Sequence, residues 1–269
     1  MNILDKIIEN KRKEVTERKS LYPIKLLEKS IYFETKPVSL SKYLLRKDKS
    51  GIIAEYKTMS PSAGMINSEA DAGTVTLGYM QAGASALSVL TDTKFFNGSF
   101  ADLRRARSLN YCPILQKDFI IDEYQVVEAK SNGADAILLI AALLEKNEVN
   151  KLSALAARLE MEVILEVHSG EEIDCATENI PIIGVNNRDL KTFITNISVS
   201  LDMVKRIPTG KIRISESGIT GSGDLYQLRN AGYHGFLLGE IFMRSTDPAA
   251  RCREIIREFR KLTGPEVKL

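Results

Sequence analysis

Short apolar runs alternate with amphipathic stretches from residue 51 onward, eight times over. The runs cover 51–57, 86–91, 113–118, 136–140, 162–168, 181–187, 211–216 and 235–239. Several, such as Ile-Leu-Leu-Ile at 137–140, are apolar without alternation, as a parallel strand covered on both faces requires. The stretches at 68–82, 100–110, 122–132, 145–160, 170–179, 197–206, 222–231 and 248–262 predict helices. Gly83, Gly133 and Gly232 each fall between a helix and the next strand, where glycine accepts the left-handed conformation that ends a helix. Asp122, Asn196 and Asp247, the last followed by Pro248, are placed to start helices. Eight βα units with short connections predict an α/β fold of the closed (β/α)8, or TIM barrel, kind. A doubly wound open sheet is the alternative, less apt because its strand count is usually lower.

Residues 1–50 precede the first strand. Ile3, Leu4, Ile7 and Ile8 make one apolar stripe, and the charged segment 11–19 reads as solvated beyond it. The expectation is an N-terminal helical extension packed on the barrel, with 51–269 as the barrel proper and 1–269 as one domain. The plainer reading is a charged helix with no direct role. The alternative is that part of it covers one mouth of the barrel.

Composition narrows the function. Net charge is only +2 with both signs interspersed, which argues against nucleic-acid or membrane partners. The longest apolar run, 136–144, is far short of the ~20 residues needed to span a bilayer. Three scattered cysteines without a C-x-x-C pair fit a reducing compartment and argue against a disulfide framework. With only two histidines, a His-rich metal centre is nearly excluded. The N-terminus lacks the apolar core of a secretory signal, so a soluble, cytoplasmic protein is expected.

Candidate chemistry lies at strand ends. Glu55, Lys57, Lys117, Glu166 and Glu216 sit in or just past four of the apolar runs. Unpaired charge in a core is costly, so four strands carrying it at the same end point to one pocket at the C-terminal mouth. Glu55 and Lys57 are two apart and share a side of their strand, which also suits a structural ion pair. Lys117 taken alone would pass for a surface lysine. Burial of Glu166 within Val-Ile-Leu-Glu-Val would raise its pKa and make it a proton carrier near neutral pH. His168 reads as a polar rim residue that supports Glu166, with a catalytic part as the alternative; His234, before the last strand, has no expected catalytic part. Small residues after the seventh and eighth strands, Ser217, Gly218, Leu238 and Gly239, suit close approach of backbone N–H groups to a phosphate. Ordinary turn glycines are the plainer account of the same signal. Phe95, Phe96, Phe119, Leu138 and Leu190 could wall an aromatic ring. Asn186 offers a neutral donor and acceptor, and Arg188 is an anion contact or a partner for Asp189.

Taken in order, the segments 52–64, 89–99, 113–122, 135–144, 162–169, 184–190, 214–219 and 236–244 resemble indole-3-glycerol phosphate synthase, a barrel family of tryptophan biosynthesis. That resemblance implies a carboxy-lyase. The family closes the ring of 1-(2-carboxyphenylamino)-1-deoxyribulose 5-phosphate with loss of CO2 and water, without cofactor or metal. It implies Lys117 as general acid, Glu166 in later proton transfers, and Lys57 holding the carboxylate or phosphate or giving a proton to the leaving hydroxyl. Glu55, Glu216 and Asn186 would orient the lysines and bind hydroxyls. Ser60, Ser217, Gly218 and Gly239 would line the phosphate end, and Phe96, Phe119, Leu138 and Leu190 the anthranilate ring. The partner is then a small phosphosugar carrying an anthranilate ring, bound by a monomer or weak homodimer. Thr58 stands where arginine is common in the family and Ala63 where lysine is common, so closure of the loop after the first strand is the departure. Tyr56 replaces a commoner aliphatic residue and should point away from the pocket. Phosphoribosylanthranilate isomerase, a neighbouring barrel, uses a cysteine and an aspartate at strand ends; Cys112 falls at the start of its strand instead. A barrel that merely binds a phosphosugar would have no reason to keep both lysines with Glu55 and Glu166.

Overall fold

Each barrel strand pairs in parallel with its neighbour in sequence, and the first closes on the last, which excludes the open-sheet alternative. The computed structural model describes residues 3–190 and 192–264. The extremes of the expected 1–269 span, residues 1–2 and 265–269, and Lys191 lie outside the described residues. The strands are β1 (Ile52–Tyr56), β2 (Ala86–Leu90), β3 (Ile114–Lys117), β4 (Ala136–Ile140), β5 (Glu162–Val167), β6 (Ile182–Asn186), β7 (Ile212–Glu216) and β8 (Gly235–Leu238). Among the described residues no helix is long and apolar enough to cross a membrane.

The uninterrupted apolar runs conceal a period of two. Ile52, Ala54 and Tyr56 of β1 pack in the outer core with the helices, whereas Ile53 joins the barrel interior. Ile114, Val163 and Leu165 likewise face out, and Leu115, Ile164 and Ile214 face in. Glu55, Lys117, Glu166 and Glu216 each follow an inward apolar residue by two positions, so the pleat itself turns all four toward the axis. Tyr56 does point away, its hydroxyl donating to Ala70 O at 2.8 Å.

The outer helices largely match their patterns. Ala72–Ala82 ends on Gly83 at φ 101° and Ser222–Ala231 on Gly232 at φ 108°. Asp122 and Asp247 accept the capping bonds of Glu123–Ser131 and Pro248–Thr263. One expectation fails. The stretch 170–179 forms only a 3-10 turn, Glu171–Cys175, because Ile173 is its one buried anchor and a single apolar contact cannot hold a longer helix. The stretch 197–206 splits into Ser198–Met203 and a 3-10 turn, Val204–Arg206. Short elements with too few residues to show a period escape the pattern: helices Thr93–Phe96 and Glu240–Met243, and a hairpin pairing Met59–Ser60 with Gly64–Met65.

The extension runs from one end of the barrel to the other. Its first helix, α1 (Ile3–Leu21), lies against the strand C-termini, followed by α2 (Ile24–Leu27). The third, α3 (Leu40–Leu44), plugs the opposite end with Leu40 and Leu44, while Glu162 at the start of β5 accepts from Ser39 Oγ at 2.6 Å. The charged segment of α1 is not wholly solvated, as its composition suggested. Lys11 is buried, with Nζ 2.8 Å from Asp118, 3.0 Å from Asp92 and 2.9 Å from Glu14. Burial alone would lower its pKa, but Asp118, Asp92 and Glu14 outweigh that and hold it above the ordinary lysine value. Removing one partner of a buried ion group leaves charge uncompensated. Lys11→Met should therefore cost about 3–5 kcal/mol in urea unfolding, whereas Lys13→Met, in an exposed pair with Glu9, should leave the midpoint unchanged.

Candidate active site

At the C-terminal mouth the charged strand ends converge. Lys117 Nζ lies 2.9 Å from Glu166 Oε2 and 3.5 Å from Glu216 Oε2, so one ammonium ties β3 to β5 and β7. Asn186 at the end of β6 donates to Glu166 Oε1 at 3.0 Å. Across the mouth, Lys57 Nζ pairs with Glu55 Oε1 at 3.0 Å, and Ser88 of β2 donates to Glu55 Oε2 at 3.3 Å. Two glycines make room for this layer. A Cβ at Gly184 would overlap Glu216 Oε1, and one at Gly239 would sit 2.8 Å from Glu55 Cβ. The structure thus brings together Glu55, Lys57, Lys117, Glu166, Asn186 and Glu216, all expected to share one pocket.

Their protonation differs from the expectation. Burial would raise Glu166, but Lys117, then His168 and Asn186, more than offset it and hold its carboxyl well below the ordinary range. The elevated carboxyl is Glu216. Burial lifts it, Lys117 opposes, and the neighbouring carboxylates Glu166 and Glu55 add to the rise, which reaches about 7. Lys117, which burial alone would lower, is held above its ordinary value by Glu166, Glu216 and Glu55. Sequence could not divide these parts, because a strand-borne glutamate shows neither its distance to the ammonium nor its like-charged neighbours. Three carboxyls face two ammoniums in this layer, so a proton on Glu216 makes the group electrically neutral.

Around the charges lies an apolar cup. Phe96, Phe119, Leu138 and Leu190 line it, and the rings of Phe96 and Phe119 stand 5.8 Å apart. Phe95 does not join them; it lies against Lys94. Sequence reasoning missed Phe193, whose loop shows no period, and left the stripe of α1 open. Ile3, Leu4 and Ile7 line the cup, so the extension covers this mouth. Next to it, sharing Glu55, Lys57, Arg188 and Ser217, is a more polar recess lined by Gly218, Leu238 and Gly239, with Thr220 and Arg244 unforeseen. Ser217 and Gly218 both have left-handed backbone, φ 66° and 69°, which turns the chain sharply after β7. Ser60 lines the cup near Ser62, whose Oγ accepts from Arg188 at 3.2 Å. Arg188 faces Glu240 at 3.8 Å. Thr58, the departure in the loop after β1, accepts from Asn97 Nδ2 at 3.0 Å and so fixes the base of that loop. His168 lies beside Glu166, and His234 sits at the far end of the barrel, its Nδ1 accepting from Arg213 N.

Comparison with known proteins agrees with this geometry. The family model described as indole-3-glycerol phosphate synthase matches residues 4–255. A protein of that name from Bacteroides thetaiotaomicron is 44% identical over 95% of this chain and 98% of its own length. Another from Dechloromonas aromatica is 40% identical over 96% and 99%. Solved structures share the fold alone. Thiamine phosphate pyrophosphorylase from Pyrococcus furiosus superposes with a TM-score of 0.59 at 13% identity, covering 81% of this chain and 98% of that one. A mandelate oxidase mutant with benzaldehyde reaches 0.61 at 16% identity, covering 88% and 82%. With a family model spanning most of its length and relatives this similar along nearly all of it, the chain belongs to the indole-3-glycerol phosphate synthase family.

Proposed function

We propose that this chain converts 1-(2-carboxyphenylamino)-1-deoxyribulose 5-phosphate to indole-3-glycerol phosphate, with Lys117 as the general acid. One observation carries the reading: a half-buried ammonium held at 2.9 and 3.5 Å by two carboxyls, inside an apolar cup that adjoins a polar recess. The anthranilate ring would lie against Phe96, Phe119, Leu138 and Leu190. The phosphate would take the recess, against Ser217, Gly218, Leu238 and Gly239, with Ser60 and Arg188 at its edge. A substrate with an aromatic carboxylate and a phosphate matches that division. Three free cysteines and a phosphosugar substrate support a cytoplasmic enzyme.

The steps balance on these residues. A ring carbon attacks the ketose carbonyl, and Lys117 gives its proton to the carbonyl oxygen as that oxygen becomes a hydroxyl. The bond to the carboxylate then breaks, CO2 leaves, and its electron pair restores the aromatic ring. The new hydroxyl departs as water with a proton from Lys57, while a hydrogen on the adjacent carbon passes as a proton to Glu166. Glu166, held ionised by Lys117, is ready to accept it. Glu55 and Glu216 orient the two lysines and meet substrate hydroxyls, with Asn186 fixing Glu166. Two protons enter and one leaves, so each turnover takes one net proton from water.

Mixing the purified chain with the carboxyphenylamino sugar phosphate should produce indole fluorescence at the same rate with or without EDTA. No fluorescence under conditions where the protein is folded rejects the reading. Lys117→Ala should abolish the product signal yet leave substrate affinity, read by equilibrium titration, largely intact. Glu166→Gln should lose several orders of magnitude in turnover. Glu216→Gln should keep more activity than Glu166→Gln near pH 6, because an amide resembles the protonated carboxyl that burial favours there.

A further inference from the structure

Glu166 is 4% exposed and the cup around it is largely apolar, so a proton that passes through Glu166 meets little water directly. His168 stands between Glu166 and the outside. Its Nε2 lies 3.5 Å from Glu166 Oε1 and its Nδ1 3.6 Å from Glu172 Oε2. Both ring nitrogens are buried, and neither makes a hydrogen bond. Buried polar nitrogens are normally satisfied, so a ring left poised between two carboxylates calls for an explanation. Each gap exceeds a formed hydrogen bond by about half an ångström, a distance that a small ring rotation closes. Glu172 lies in the 3-10 turn after β5, accepts the His168 backbone N–H at 2.7 Å, and is 23% exposed. It therefore joins the ring to solvent.

We infer that Glu172 and His168 form a proton relay that recharges the buried Glu166–Lys117 pair from water during turnover. The inference rests on the proposed reaction, in which Lys117 gives up its proton before Glu166 gains one from the substrate. The transfer is a sequence of hops without redox change. Glu172 takes a proton from water and passes it to His168 Nδ1. His168 Nε2 releases its own proton to Glu166 Oε1, and Glu166 Oε2 hands one on to Lys117 after that amine has protonated the substrate. The proton that Glu166 later takes from the substrate leaves by the reverse hops, and Lys57, 15% exposed, takes its own from water, so two protons enter and one leaves. Rotation of the ring resets it.

The surroundings favour a ring that takes up protons readily. Glu166 faces it from β5, Glu172 from the 3-10 turn and Glu216 from β7, and Lys117 pairs with Glu166 at 2.9 Å. Arg206 packs over neighbouring Gly170, but Glu171 engages that guanidinium at 3.3 Å. Burial lowers His168, yet the nearby carboxylates of Glu172 and Glu166 prevail and leave it raised above its ordinary value.

The test is the full-length chain assayed by indole fluorescence in dilute, non-nucleophilic buffer. His168→Gln keeps a polar side chain that cannot carry a proton; His168→Ala leaves a ring-sized hole for added imidazole. Both should lose at least tenfold in kcat with KM nearly unchanged. The deficit should widen as pH rises and protons grow scarce. Imidazole should restore His168→Ala but not His168→Gln. Glu172→Gln should lose kcat in the same direction. Wild-type kcat in His168→Gln, or an equal loss at every pH that imidazole does not relieve, overturns the relay. If the wild-type chain forms indole under those same conditions, the proposed reaction stands and the relay alone is lost.

Discussion

An ammonium surrounded by carboxyls inside the barrel mouth sets the terms for the rest of this molecule. Lys117 joins β3, β5 and β7 at their C-terminal ends, and its charge keeps Glu166 ionised while leaving Glu216 raised. Burying such a group without partners would be prohibitive, and burying one carboxylate too many is nearly as costly. The site resolves this with unequal carboxyls. One is the closer partner of the lysine, and the other is the natural place for a proton. Two carboxyls of the same residue type are thus set apart by their environment.

The same arrangement constrains the backbone beneath it. Gly184 and Gly239 are open where a methyl group would strike Glu216 or Glu55. Below the charged layer the barrel interior is filled by Ile53, Leu115, Ile164, Ile214 and Leu237, and its far end is stoppered by Leu40 and Leu44. Polar chemistry is thereby confined to one end, above a water-excluding floor.

The extension belongs to the same design. Lys11 binds the Asp118 carboxylate directly after Lys117, and Asp118 also accepts from the Phe119 backbone N–H at 2.7 Å. Phe119 lines the cup, so a single buried lysine connects α1 to the segment carrying both the proposed acid and part of the ring wall. Ile3, Leu4 and Ile7 on that helix then close the cup from above.

Strand order, the closed barrel and the residues of its mouth were legible in the chain because they depend on local periodicity. A strand's pleat has a period of two, so once the apolar run is located, Glu55, Lys117, Glu166 and Glu216 must share a face. Glycine and aspartate marked helix ends for equally local reasons, as at Gly83 and Asp247. Tertiary structure decided what depends on distances between residues remote in sequence. It set which glutamate holds the proton, made Lys11 a buried anchor instead of a solvated charge, and laid α1 over the mouth. It reduced 170–179 to one turn and left His168 between two carboxylates. Electrostatic energy and burial follow spatial separation, which no residue carries in its own identity.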